Sequence, residues 1–153
     1  MNAQGRPTPT TDPFHHQPMP VSHPPQARQV EAERQGKPWG SEVVFADGGN
    51  GYVGKLLCID AGKRLSLQRH RAKDETLVVL EGQVRLETGS TPDQLAVIPL
   101  AAGDAVHLPP GALHRFEAVT DCVLVEVSTA FQGWRHDVVR LADDFGREGT
   151  SNP

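Results

Sequence analysis

Cysteine is scarce in this sequence: only two are present among 153 residues. Cys58 and Cys122 both lie within predicted strands and do not form the spaced framework that disulfide-rich domains show. Free cysteine behaves as a small apolar side chain in protein interiors. We therefore interpret both residues as buried hydrophobic positions and expect no disulfide.

Long apolar runs and an excess of positive charge are also lacking. No run approaches the ~20 residues that a transmembrane helix needs, and the N-terminus lacks the apolar core of a secretory signal. The formal net charge of −4 and the pI near 5.9 argue against nucleic acid or an anionic membrane as the main partner. We therefore expect a soluble, cytoplasmic protein.

The sequence also lacks a sustained apolar stripe with helical spacing. From residue 38 onwards the chain consists of short alternating segments such as SEVVFA, GYVGKLLCID, ETLVVLE and DCVLVEVS, separated by Gly, Pro, Asp and Asn. Closely spaced strands of this kind predict an all-β fold, a sandwich or barrel, with a jelly roll among the few available closures.

The N-terminal region has a different composition. Residues 1–36 contain seven of the thirteen prolines and almost no periodic apolar pattern. Such a segment buries too little apolar surface to offset its ordering entropy. We expect a disordered Pro/His-rich arm over 1–36, one domain over 37–147 and a flexible C-terminus over 148–153.

Four polar residues in two separate segments suggest a metal site. Side chains alternate along a strand, so in RLSLQRH the side chains of Arg64, Ser66, Gln68 and His70 share one face, and Glu75 opens the next strand. The turn PPG at 109–111 leads to the strand that His114 begins. One amide, one carboxylate and two imidazoles suit a borderline or fairly hard divalent metal, and no thiol takes part. We expect Gln68, His70, Glu75 and His114 to bind one ion, zinc first, with manganese, iron or nickel as alternatives.

These motifs resemble those of the cupin superfamily. The first motif comprises Gly62, Gln68 in place of the usual His, His70, Glu75 and Gly82, and the second comprises Gly103, Pro109, Gly111 and His114. The resemblance extends to the cupin domain of type II mannose-6-phosphate isomerases, often fused to mannose-1-phosphate guanylyltransferase. That family also has glutamine at the first ligand position, a Pro-Trp-Gly near its start and a final segment similar to VVRLADDFGR at 138–147. The resemblance implies an antiparallel double-stranded β-helix and a homodimer.

The implied reaction is the interconversion of mannose 6-phosphate and fructose 6-phosphate. This reaction needs a Lewis acid, a base that moves a proton between C1 and C2, and a cation that binds the phosphate. Strand alternation makes Arg64, Lys55 and Ser66 the candidates for substrate binding. For the base, the sequence leaves Glu126, Lys73 and His107 open. No Gly-rich phosphate loop is present, so we expect a cupin without the nucleotidyltransferase domain.

Departures from the family leave other functions open. The family's His-rich turn after the second ligand reads Arg71-Ala72-Lys73-Asp74 here, and the acidic pair before the last strand is His136-Asp137. The alternatives are a non-catalytic sugar-binding or regulatory cupin and a metal-dependent cupin oxygenase. Metal identity, oxygen consumption and sugar-phosphate turnover would separate the three.

Overall fold

A computed structural model describes residues 26–152 of the protein. Those residues form two antiparallel sheets, and the all-β prediction is confirmed. The first sheet has the order β1 (Glu33–Lys37), β2 (Gly40–Asp47), β3 (Tyr52–Ile59), β10 (Cys122–Thr129), β5 (Glu75–Glu81) and β8 (Ala105–Leu108). The second has the order β11 (Val138–Ala142), β4 (Leu67–His70), β9 (Leu113–Ala118), β6 (Gln83–Gly89) and β7 (Leu95–Ala101). A 3₁₀ turn at Trp134–His136 precedes β11.

The core lies between the two sheets and follows from the alternation of apolar residues. In β6, Val84 and Leu86 are buried, and Gln83 and Arg85, which alternate with them, are exposed. They belong to one buried cluster with Phe116 of β9 and Leu57 and Leu124 of the first sheet. Burial of these side chains is the main source of stability for such a fold.

One turn brings the two motifs together. Gly111 has a φ of 84°, a conformation that glycine adopts without strain. Its backbone N–H donates a 2.8 Å hydrogen bond to the carbonyl oxygen of His70 at the end of β4. On the same side, Gln68 of β4 lies opposite His114 of β9 in the strand register. The histidines of the two motifs therefore lie next to each other although 43 positions separate them.

The structure corrects one predicted boundary. Residues 33–36, assigned from sequence to the disordered arm, belong to β1, which pairs with β2 over its whole length. The earlier part of the arm, residues 1–25, lies outside the described residues. At the other end, Arg140 donates to the carbonyl oxygen of Thr150, within the segment predicted to be flexible. Among residues 26–152, no helix is long and apolar enough to cross a membrane.

Candidate metal centre

Three of the four predicted ligands converge inside the barrel. His70 is the last residue of β4, Glu75 the first of β5, and His114 the second of β9. One potential ligand atom from each lies within 4.8 Å of the others, and all three residues are buried. This is the arrangement that the two sequence motifs predicted.

The geometry of the cluster centres on one carboxylate oxygen. Glu75 Oε1 lies 3.2 Å from His114 Nε2 and 3.6 Å from His70 Nε2. His114 is oriented by a 3.0 Å contact between Nδ1 and the backbone carbonyl of Ala112. In the tautomer with the proton on Nδ1, this N–H donates a hydrogen bond to the Ala112 carbonyl. The lone pair of Nε2 is then free to bind a cation.

His70 gives the strongest sign that a ligand is expected here. It is only 7% exposed, and neither of its ring nitrogens has a hydrogen-bond partner among the described residues. A buried polar group without a partner is costly. A cation bound between His70, Glu75 and His114 would remove that cost, so the donor set fits a divalent metal.

The electrostatic environment keeps both histidines neutral, which is the form that binds metal. Burial, together with the nearby charge of Lys73, lowers the pKa of His70 to about 2. Burial also lowers the pKa of His114 to about 4, although its contact with the Ala112 carbonyl opposes the shift. Neither imidazole therefore needs to lose a proton at neutral pH before it binds a cation.

Gln68, the fourth predicted ligand, lies beside the cluster. Its Oε1 accepts a 2.7 Å hydrogen bond from the hydroxyl of Ser66, and both residues line the cavity. Its role as a ligand stays a prediction. The proposed substrate residue Ser66 thus contacts the amide oxygen of Gln68 directly.

Two of the candidate bases form a buried ion-pair network next to the cluster. The ammonium of Lys73 lies 2.5 Å from Glu75 Oε2 and 2.9 Å from Glu126 Oε1. Ser128 donates a further 3.0 Å hydrogen bond to Glu126 Oε1. Burial alone would raise the pKa of Glu126, but the adjacent charges of Lys73 and Lys55 lower it, so this carboxylate is ionised.

A cleft that is open to solvent extends from the cluster. Its charged lining is mostly cationic: Lys37, Lys55, Lys73, Arg135, Arg140 and Arg147, against Glu42, Glu75 and Glu126. The formal charge of the lining is thus positive, whereas the whole chain carries −4. A positively lined cleft attracts anionic ligands.

Arg140 is the least compensated of these cations. It is 8% exposed, its Nε has no hydrogen-bond partner among the described residues, and its Nη1 donates only to the backbone and side-chain oxygens of Thr150. Burial and the charge of Arg147 lower the pKa of Arg140. Burial likewise lowers the pKa of Lys37; the charge of Glu42 opposes this shift, and those of Lys55, Arg147 and Arg140 add to it. An anion bound beside these cations would reduce the repulsion among their charges.

The predicted substrate residues are only partly brought together. Lys55 lines the cleft, where its ammonium lies 3.1 Å from Glu42 Oε2 and 5.2 Å from the centre of the Trp134 ring. Arg64 does not line the cleft: its Nη2 donates a 2.8 Å hydrogen bond to Asp144 Oδ1 in an exposed ion pair. The predicted interior orientation of Arg64 is therefore wrong, because β4 begins only at Leu67 and strand alternation does not extend back to residue 64.

The third candidate base, His107, lies at the surface. Its side chain is 58% exposed, its Nε2 lies 2.9 Å from Asp74 Oδ1, and it is not among the residues that line the cleft. His107 therefore does not lie beside the His–Glu–His cluster.

Sequence reasoning missed several residues of the cleft. Arg140 and Arg147 come from β11 and the turn after it, Lys37 from β1, and Trp134 from the 3₁₀ turn. The alternation in VVRLADDFGR, with Val138 and Arg140 on one face, was the available signal. Nothing in the sequence alone showed that this strand pairs with β4.

Comparison with known proteins defines the class of the protein. Residues 55–128, which include all four predicted metal ligands, match the family Cupin_2, described as a cupin domain. Together with the double-sheet fold, this match shows a cupin domain over residues 55–128.

Within the cupins, the predicted resemblance is confirmed. The chain is 30% identical over 113 residues to "Mannose-1-phosphate guanylyltransferase ManC" of Salmonella typhimurium, an alignment that covers 72% of this chain and 22% of that protein. The chain thus spans about a quarter or less of the curated relatives it matches.

Solved structures show the same fold. The capsular polysaccharide assembling protein CapF from Staphylococcus aureus matches with a TM-score of 0.64 and 16% identity over 75% of this chain and 35% of that chain. Oxalate decarboxylase from Bacillus subtilis, in a structure described by its Mn(II) centres, matches with a TM-score of 0.60 and 19% identity over 71% and 30%. At these identities the likeness concerns the fold alone.

Proposed function

We propose that this cupin is a metal-dependent sugar-phosphate isomerase of the mannose-6-phosphate/fructose-6-phosphate type. The observation that carries the proposal is the cationic cleft, with Arg140 as its least compensated charge, beside a His–Glu–His cluster. The relatives named for mannose-1-phosphate chemistry support a phosphorylated hexose as the ligand.

The phosphate would bind to the cations at the β11 side of the cleft. Arg140 Nε has no hydrogen-bond partner among residues 26–152. The charge of Arg147 lowers the pKa of Arg140, and the charge of Arg140 lowers that of Lys37. Guanidinium groups bind phosphate oxygens through directed, charge-assisted hydrogen bonds. Lys55 would add positive charge to the phosphate site while its ammonium keeps the hydrogen bond to Glu42. Arg64 has no part in this scheme.

The metal would be held by His70, Glu75 and His114, with Gln68 as the fourth ligand. Its chemistry would be that of a Lewis acid that polarises the C1 carbonyl or the C2 hydroxyl. The ligands are nitrogen and oxygen donors, which suit zinc and also manganese, iron or nickel. Zinc remains the first expectation for this chain, and the Mn(II) of the oxalate decarboxylase makes manganese the alternative to test first.

Glu126 is the best candidate for the base. Isomerisation requires one group to remove the proton from C2 and return it to C1. Glu126 is ionised, lines the cleft, and accepts hydrogen bonds from Lys73 and Ser128 at Oε1, which leaves Oε2 available. Lys73 is less suited, because its two carboxylate partners outweigh burial and raise its pKa, so that it stays protonated.

The test is turnover of mannose 6-phosphate by metal-loaded protein in a coupled assay for fructose 6-phosphate. We expect turnover that is lost on chelation and restored by the divalent ion. Unphosphorylated mannose should be a poor substrate because it lacks the dianion. Binding of the sugar phosphate without turnover would contradict the isomerase and favour a non-catalytic sugar-binding cupin. Oxygen consumption by the iron-loaded protein would favour an oxygenase. The homodimer and the cytoplasmic location stay predictions.

A further inference from the structure

Lys73 is placed between two carboxylates of the candidate site. It is 4% exposed, and its ammonium contacts Glu75 through Oε2 and Glu126 through Oε1. The other oxygen of Glu75, Oε1, is the one that faces the two histidines. One oxygen of Glu75 thus contacts Lys73, and the other faces the two histidines.

The backbone of Lys73 is held as firmly as its side chain. Asp137 Oδ2 accepts a 2.9 Å hydrogen bond from the backbone N–H of Lys73 and a 3.1 Å one from that of Ala72. On the far side of the turn, the backbone N–H of Asp74 donates to Thr129 Oγ1, and the N–H of Thr129 donates to the Asp74 carbonyl. The turn between β4 and β5 is thus tied to β10 and to Asp137, the residue that precedes β11.

We propose that Lys73 is a positioning residue that makes Glu75 a monodentate ligand. A carboxylate binds a metal through one oxygen or both. With Oε2 engaged by the ammonium, only Oε1 of Glu75 is free for an ion held by His70 and His114. The same ammonium also contacts Glu126 Oε1, so that this oxygen is not free to bind the metal.

This role differs from that of a proton carrier. An ammonium that contacts two buried carboxylates is electrostatically fixed, and removal of one member of such a network leaves the others uncompensated. The inference rests on the proposed function only for the presence of a divalent metal. It does not require that the substrate be a sugar phosphate or that the protein have turnover.

The experiment is the spectroscopy of the bound metal in the Lys73→Met variant, in which a neutral chain of similar length replaces the ammonium. Wild-type and variant proteins are loaded with Co(II) for visible absorption and with zinc for X-ray absorption. We expect the variant to bind the metal with unchanged stoichiometry. Its Co(II) bands should shift and lose intensity, and the zinc spectrum should show one additional oxygen neighbour, because Glu75 becomes free to bind through both oxygens.

Two matched variants accompany this measurement. Lys73→Arg retains a cation that can contact both carboxylates, and it should restore the wild-type spectrum. Lys55→Met removes another ammonium from the cleft, but Lys55 contacts Glu42 and not Glu75. Its metal spectrum should therefore equal that of the wild type.

A spectrum unchanged in Lys73→Met would overturn the proposal, as would a change of the same kind in Lys55→Met. If Lys73→Met does not fold, the double variant Lys73→Met/Glu126→Leu removes the second buried carboxylate as well and carries the same spectroscopic expectation. These readouts are independent of turnover. A protein with the expected spectra and no isomerase activity would contradict the proposed function and leave the role of Lys73 supported.

Discussion

Arg64 and Asp144 form an ion pair at the surface, in which Arg64 Nη2 lies 2.8 Å from Asp144 Oδ1. The contact joins the segment before β4 to the turn after β11, and the hydrogen bond to Asp144 raises the pKa of Arg64. An arginine engaged in this way is not free to bind a substrate inside the barrel. In the proposed function, the cation that binds the phosphate therefore comes from another segment, and Arg140 of β11 is the candidate.

The first prediction compares these two arginines. Arg140→Met removes a charge-assisted contact to phosphate of about 1.5–3 kcal/mol, so the KM for the sugar phosphate should rise by roughly 10- to 150-fold. Steady-state kinetics with a fixed metal content measures the effect. Arg64→Met is the matched control and should leave KM unchanged, because its ion pair is exposed and lies outside the cleft. A larger effect at Arg64 than at Arg140 would refute this assignment.

The second prediction concerns the ligands. His70→Ala and His114→Ala should each abolish tight metal binding, because each removes a neutral nitrogen donor from a three-residue cluster. Gln68→Ala should reduce affinity less, since water can replace an amide oxygen. Metal analysis after dialysis, with circular dichroism to verify the fold, gives the comparison. Equal metal content in His70→Ala and wild-type protein would show that the cluster is not the metal site.

The third prediction concerns proton transfer. Glu126→Gln preserves the shape of the side chain but removes the base, so kcat should fall by roughly 10²- to 10⁴-fold. Metal content should not change, because Glu126 Oε1 contacts Lys73 and Ser128 and is not part of the His–Glu–His cluster. Ser128→Ala, which removes only a donor to the same oxygen, should have a much smaller effect. If Glu126→Gln retains wild-type kcat, another group is the base.

The fourth prediction concerns the thiols. Burial raises the pKa of Cys122 from 9.0 to about 11, which lowers its thiolate fraction at pH 8 by roughly 100-fold, since each pKa unit is a factor of ten. Because the thiolate is the reactive form, labelling of Cys122 should be slow below pH 9 and accelerate as the pH approaches 11. Mass spectrometry of a Cys58→Ser variant, labelled with and without denaturant, isolates this residue. Equally fast labelling in the native and denatured states would contradict the burial of Cys122.

Much of the fold could be predicted because its determinants are local. Alternation of apolar residues in segments such as QVRLET and DCVLVEVS determines which face of each strand is buried, and glycines with positive φ such as Gly82 and Gly111 lie in the turns. The ligands His70 and Glu75 flank one short turn, so their proximity also follows from the sequence. The start of β1 was missed because ERQGK has no apolar alternation; only its pairing with β2 makes it a strand.

The sequence by itself determined the strand faces, the turns and the two motifs that contain His70, Glu75 and His114, because each of these depends on residues close together in the chain. Tertiary structure alone decided the position of the charged groups around them. Arg64 does not lie on the predicted face, because residues 65 and 66 are not in a strand. Its side chain donates a hydrogen bond to Asp144 instead. Arg140 joins the cleft because β11 pairs with β4, a contact between segments about 70 residues apart. Long-range pairing of this kind depends on how whole sheets pack, and no local pattern specifies it.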